Sequence, residues 1–266
     1  MALRKLAPQI LDKDWGATTT SPWLENEEGR KIGEIWFADR SVLPVLVKFL
    51  FTSDRLSVQV HPDDVYAQAH GEERGKTEMW HILQAKPGAM VAIGLRETTS
   101  GERVREAALD GGIVEMMEWL PARPGDTFFI PARTIHAIGA GLVLCEIQQY
   151  SDTTYRLYDY QRTPLRPLHL DDALAVSNFG PCDGRREGDI VKCDYFRSER
   201  VGIEGRLTLP TPAGPTFYIA TAGEGSIDGQ PFHGGEVWLA EAGTPPVIIE
   251  SPAAAFVLAS LPYSSE

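Results

Sequence analysis

Between residues 32 and 150 the apolar positions fall in short runs, separated by Gly, Pro and Asp, which is the pattern of strands and not of amphipathic helices. Ile32 to Ala38 (IGEIWFA) and Val42 to Leu50 (VLPVLVKFL) read as buried strands, with Lys48 the single charge in the second. Leu56 to His61 (LSVQVH) alternates, so Ser57, Gln59 and His61 share one face and Leu56, Val58 and Val60 the other. In the run from Lys76 to Leu83 (KTEMWHIL), Lys76, Glu78 and Trp80 share a face, while His81 is out of phase with Glu78 and points away. Met90 to Leu95, Thr127 to Ile130 and Leu142 to Tyr150 complete the apolar runs of this half. Residues 1–32 are polar and turn-rich and read as an entry segment covering part of a barrel. One helix stands out, Gly101 to Leu109, with Ser100 as its cap and Gly111-Gly112 as its stop. Residues 113–126 then return to the sheet.

The pattern changes at residue 159. DYQRTPLRPLHLDDALAVSN (159–178) is broken by Pro164 and Pro167, and Asp171 to Val176 has room for one or two helical turns. From Gly180 onward, short strands return at Val201–Leu209, Thr216–Ala222, Gly225–Ile227, Glu236–Leu239, Val247–Glu250 and Ala255–Leu261, suggesting a second small sandwich or barrel. The division expected is residues 1–160 as the functional β domain, 161–180 as a connector with a short helix, and 181–266 as a second β domain.

Composition narrows the function more than the fold. The 266 residues carry a net charge of −12, which argues against non-specific binding to nucleic acid or to an anionic membrane surface. A local cluster of Arg and Lys can still hold a small anion. Cys145, Cys182 and Cys193 form no metal-binding spacing and cannot all pair within the chain, which fits a reducing cytoplasm. No apolar run reaches membrane-spanning length and the N-terminus lacks a signal-peptide core, so a soluble cytoplasmic protein is expected.

The candidate chemistry lies in three separated segments. Gln59 and His61 share one strand face and Glu78 opens the next run. The third segment, GDTFFIPARTIH (125–136), closes a strand with Pro131 and brings in His136. A carboxamide, two imidazoles and a carboxylate can converge on one divalent ion, whereas a single such face could equally be solvated. His70, His81, His169 and His233 read as ordinary satisfied histidines.

With Gln59-x-His61, Glu78 and His136 in place, the chain resembles the two-part cupin motif, whose ligands sit inside a jelly-roll barrel. LSVQVHPDD, GKTEMW, GDTFFIPARTIHAIGAG and LCEIQQYSDTTYRLYDYQR, taken in order, resemble the short bacterial form of type I mannose-6-phosphate isomerases. WGA (15–17), GEIWF (33–37) and PVLVKFL (44–50) are weaker matches in the same order. The resemblance implies a mainly β fold of two tandem cupin-type jelly-roll barrels with a few short helices. It also implies a metal-dependent aldose–ketose isomerase, usually with zinc, that interconverts mannose 6-phosphate and fructose 6-phosphate through an enediol(ate). It places the ion on His61, Glu78 and His136, with Gln59 as a fourth ligand.

The same resemblance assigns catalysis to Arg156 of SDTTYR, as a cation for the enediolate or the phosphate, unless Arg156 only pairs with Asp152 or Asp159. Lys76 is expected to bind substrate, or to serve as an acid/base if neighbouring cations lower its pKa. Asp152 is the preferred base, and Glu146 is as readily a buried structural carboxylate. Where the cupin turn usually has PxG, this chain has Pro131-Ala132-Arg133, so Arg133 is expected either in a different turn or at positive φ, its side chain reaching an anion at the mouth. The expected partner is a small sugar phosphate, with no nucleic acid and no membrane, and a homodimer is compatible with the sequence. The competing readings are a related metal cupin that isomerises or epimerises another sugar, and a non-catalytic sugar-binding cupin.

Overall fold

Strands β1 (Arg4–Lys5), β2 (Gln9–Ala17), β3 (Ile32–Phe37) and β4 (Val45–Phe51) open the chain in the computed structural model, which describes residues 3–26 and 28–262. β2 falls within the stretch expected as an irregular entry segment. Its QILDKDWGA alternates poorly because its pairing with β3 slips twice, at Leu11/Asp12 and again at Asp12/Ala17. Close approach there requires glycine, since a Cβ on Gly16 would lie 2.6 Å from the Gly33 nitrogen. The single charge of β4, Lys48, is buried and lies 4.5 Å from the Trp36 ring. Burial works against the Glu34 carboxylate, but Lys48 and Lys13 outweigh it and hold its pKa down.

Residues 50–186 form one compact unit, and residues 1–49 group with 187–266 in the other. The 50–186 unit contains β5 (Val58–Val60), α1 (Asp64–Ala69), β6 (Glu78–Ala85), β7 (Met90–Leu95), α2 (Gly101–Asp110) and α3 (Ile113–Met116). It continues with β8 (Met117–Pro121), β9 (Thr127–Ile130), β10 (His136–Ile138), β11 (Leu142–Gln149), β12 (Tyr155–Tyr158), α4 (Leu170–Val176) and β13 (Arg185–Arg186). Its strands run in the orders β13-β9-β6-β11 and β12-β5-β10-β7-β8, all antiparallel. The outer faces of β5, β7 and β10 bury Val58, Val60, Ala92, Leu95 and Ala137 against Val104, Ala107 and Ala108 of α2 and Ala173 and Val176 of α4. That packing leaves the opposite faces, with Gln59 and His136, for the interior. Ser100 caps α2 by accepting from the Arg103 N–H, and Gly111 ends it at φ 89°. α4 lies within the expected connector.

The remaining strands belong to the other unit: β14 (Ile190–Lys192), β15 (Arg197–Leu209), β16 (Thr216–Ile227), β17 (Gln230–His233), β18 (Val237–Ala240) and β19 (Val247–Ser260). They run β1-β18-β16-β19-β15-β14, with β17 on β16. Two pairs of expected short strands prove to be the single long strands β16 and β19. The interruption read between Glu250 and Ala255 is a bulge, since the β15 ladder passes from Ser251 to Ala254 and leaves Pro252 unpaired. Proline has no N–H to give a ladder, so a bulge is where a long strand tolerates it. The protein is thus mainly β with few helices, in open sheets.

Candidate metal centre

Three strands deliver the ligands. His61 directly follows β5, Glu78 opens β6 and His136 opens β10. β10 pairs with β5 so that His136 lies opposite Gln59, and Glu78 sits between Ile130 of β9 and Gln148 of β11. One ligand atom from each of His61, Glu78 and His136 lies within 4.8 Å of the other two, the one such group of three found among the described residues. Nε2 of His136 is 3.4 Å from Glu78 Oε1, and Nε2 of His61 is 3.5 Å from Oε2. Ligands about 2.0–2.2 Å from one ion at the corners of a tetrahedron are about 3.3–3.6 Å apart, so the cluster fits a single divalent ion.

The outer shell fixes which atoms face inward. Nδ1 of His61 is 2.9 Å from the Thr153 carbonyl, and Nδ1 of His136 is 2.9 Å from the Thr134 carbonyl. A carbonyl only accepts, so each Nδ1 carries the proton and each Nε2 offers its lone pair to the centre. Burial pushes His61 down to about 3, with Lys76 adding to the effect, and burial also lowers His136. Both imidazoles are therefore neutral at pH 7, the form that binds a metal. Burial opposes the charge on Glu78, but the Lys76 ammonium outweighs it and keeps the carboxylate well below its ordinary range.

Lys76 is buried in the cluster, with Nζ 2.9 Å from Glu78 Oε2 and 3.1 Å from His61 Nε2. Burial alone would lower its pKa, but Glu78 and Glu146 raise it further, so it stays protonated. The chain's own charges that act on it are thus carboxylates, not the cations that would lower a lysine's pKa. Gln59 presents its amide nitrogen 3.3 Å from His136 Nε2, and its oxygen accepts from Ser57. A half-turn of that amide would point the oxygen at the centre instead. Arg156 pairs across the ladder with Gln59 and so shares its face of the sheet. Asp159 takes Arg166 at 2.5 Å and Arg162 at 3.6 Å, and no ion pair of Arg156, the alternative to a catalytic role, is found among the described residues. Asp152 is exposed in the segment joining β11 to β12, and its charge reaches Lys76 and Arg156. Glu146 accepts from Trp80 Nε1 at 3.0 Å in the buried interior.

Arg133 does adopt the left-handed conformation, at φ 74°. Its N–H donates to the His61 carbonyl at 2.7 Å and its carbonyl accepts from Asn178, so the turn is tied to the cluster through the main chain. The half-exposed guanidinium pairs with Asp63 at 3.1 Å. Arg133→Gly is expected to raise the melting temperature by a few degrees. Relief of about 1 kcal/mol or more of backbone strain outweighs a surface ion pair of about 0–1 kcal/mol. A lower melting temperature in a thermal scan would show that the ion pair outweighs the strain.

Sequence reasoning missed the two carbonyls that set the imidazole tautomers, because any residue type can supply a carbonyl. His169, read as a satisfied histidine, accepts at Nδ1 from the Arg156 N–H. The other histidines stay outside the cluster. His81 lies 3.3 Å from Thr127 Oγ1, His70 stacks on Tyr66 at 3.8 Å, and His233 pairs with Glu236 at 2.9 Å.

Fold and cluster together define a cupin-type β protein with a buried His–Glu–His metal-binding group. No protein-family model matches the chain. The mannose-6-phosphate isomerase ManA of Bacillus subtilis (strain 168) is 33% identical over 224 residues, 75% of this chain and 71% of that protein. The mannose-6-phosphate isomerase of Streptococcus mutans is 35% identical over 201 residues, 70% of this chain; the match spans 63% of that relative's length, less than two thirds. The crystal structure of mannose 6-phosphate isomerase from Bacillus subtilis superposes with a TM-score of 0.86 at 23% identity, covering 98% of this chain and 100% of that one. The chain belongs to the mannose-6-phosphate isomerase family.

Proposed function

We propose that the protein is a metal-dependent aldose–ketose isomerase that interconverts mannose 6-phosphate and fructose 6-phosphate. The buried His61–Glu78–His136 group, with a protonated Lys76 beside it, carries the reading in a chain of this family. Moving the carbonyl from C1 to C2 requires a base to take the C2 proton and an acid to protonate the C1 oxygen. The resulting enediol(ate) then regains a proton at C1 as the C2 hydroxyl gives up its own. A divalent ion, for which zinc suits the donor set, would be held by His61, Glu78 and His136 with Gln59 as fourth ligand, and would stabilise negative charge on the sugar oxygens as a Lewis acid.

The chain's own residues supply the rest. Lys76, buried beside Glu78, is suited to donate to developing oxyanion or phosphate. Arg156 offers on the face of Gln59 a guanidinium with no ion pair among the described residues, suited to the enediolate or the phosphate. Asp152, in the segment between β11 and β12, is the base in this reading. Arg133 binds phosphate at the mouth by exchanging Asp63 for the ligand, so Arg133→Gly also raises KM for sugar phosphate.

Three free cysteines suit a cytoplasmic setting, and among the described residues no helix is long and apolar enough to cross a membrane. The partner is a small sugar phosphate, and a homodimer accords with the reading. A coupled assay on mannose 6-phosphate, repeated with chelator and with re-added zinc, tests it. Turnover is expected to disappear with chelator and return with the ion. Chelator-insensitive turnover would sink the metal mechanism. Turnover on another sugar alone would select a related isomerase or epimerase, and binding without turnover a sugar-binding cupin.

A further inference from the structure

β12 ends its sheet order, with β5 on one side and, among the described residues, no strand on the other. Such an edge leaves alternate N–H and C=O groups in need of partners. At Arg156 both groups on that edge are satisfied by one residue. The N–H of His169 donates to the Arg156 carbonyl at 2.8 Å, and the Arg156 N–H donates to His169 Nδ1 at 3.2 Å. The imidazole supplies the acceptor that a neighbouring strand's carbonyl would otherwise give. Two residues earlier, the Pro167 carbonyl accepts from Arg156 Nη1 at 3.4 Å, so the same segment holds both the main chain and the guanidinium.

Two further observations make this contact more than an edge bond. His169 sits in the cap position of α4, where Ser, Thr, Asp and Asn are favoured because their oxygen bonds the helix's first N–H groups. His169 makes no such bond, and its side chain is turned to Arg156. On the other side of β12, pairing with β5 shifts register between Arg156 and Tyr158, so the ladder alone holds this stretch weakly. The ring is also braced edge-on against Tyr155, with centroids 6.2 Å apart at 68°.

We propose that His169 is a positioning residue for Arg156, clamping its backbone from the strand's open edge so that the guanidinium is held on the face shared with Gln59. This rests on the isomerase reading, in which Arg156 acts on the sugar phosphate. Asparagine carries its oxygen close to where Nδ1 of histidine lies, alanine carries no acceptor, and glutamine keeps bulk but places its oxygen one bond too far.

His169→Ala and His169→Gln are therefore expected to lower kcat/KM for mannose 6-phosphate about tenfold, with zinc content unchanged, while His169→Asn stays within about threefold of wild type. Amide hydrogen exchange of residues 155–157 is expected to quicken in the alanine and glutamine variants and not in the asparagine variant. Equal losses in all three variants, or wild-type kcat/KM in the alanine or glutamine variant, would overturn the proposal. If the wild-type protein did not turn over mannose 6-phosphate at all, the isomerase reading would fail by itself. The exchange comparison would then still judge the clamp, and equal protection in all variants would overturn it.

Discussion

His136→Ala is expected to lose the ion and, with it, turnover of mannose 6-phosphate by about a thousandfold or more. The residue has no exposed surface, and its two ring nitrogens have separate tasks, Nδ1 on the Thr134 carbonyl and Nε2 toward Glu78. Alanine removes one of three converging donors, and the remaining imidazole and carboxylate cannot close a tetrahedral site. The measurements are metal content after dialysis, kcat, and a far-ultraviolet spectrum to show the fold retained. Metal content near that of wild type would take His136 out of the ligand set.

Arg156→Ala should behave in the opposite way, keeping the ion and losing turnover by roughly a hundredfold to a thousandfold. The ligands come from β5, β6 and β10, whereas Arg156 is on β12 and makes no bond to His61, Glu78 or His136 among the described residues. Its main-chain clamp survives truncation of the side chain. A wild-type rate in this variant would reduce Arg156 to a structural partner of the 167–169 segment. Comparing the two variants separates residues that hold an ion from residues that use it, because the first loses both metal and rate and the second loses rate alone.

Much of this arrangement was legible in the residues because side-chain direction in a strand follows position. Gln59 and His61 on one face, Glu78 in phase with Lys76, and His81 out of phase all follow from a period of two. The convergence of three distant segments was not legible that way. It came from the resemblance, and in the structure it depends on register, His136 opposite Gln59 and Glu78 opposite Gln148. The sign of the Lys76 shift escaped because it depends on which charges surround a buried ammonium. Glu146, far along the chain on β11, is one of them. Strand ends were blurred where a bulge absorbs a proline, as at Pro252, and β2 was hidden because a slipped ladder spoils alternation. Arg133 was legible as an oddity from a missing glycine, and its φ of 74° gives the oddity a backbone cause.

The ion pair between Lys76 and Glu78 has a further consequence. With both imidazoles neutral, the lysine cancels the single carboxylate, so these four side chains present a holder of zero net charge. A holder of two thiolates would cancel a dication's formal charge, whereas one carboxylate with an ammonium beside it would leave the site net positive. In a chain of net charge −12, a dication held there would make the centre an island of positive potential, suited to the phosphate of the proposed substrate.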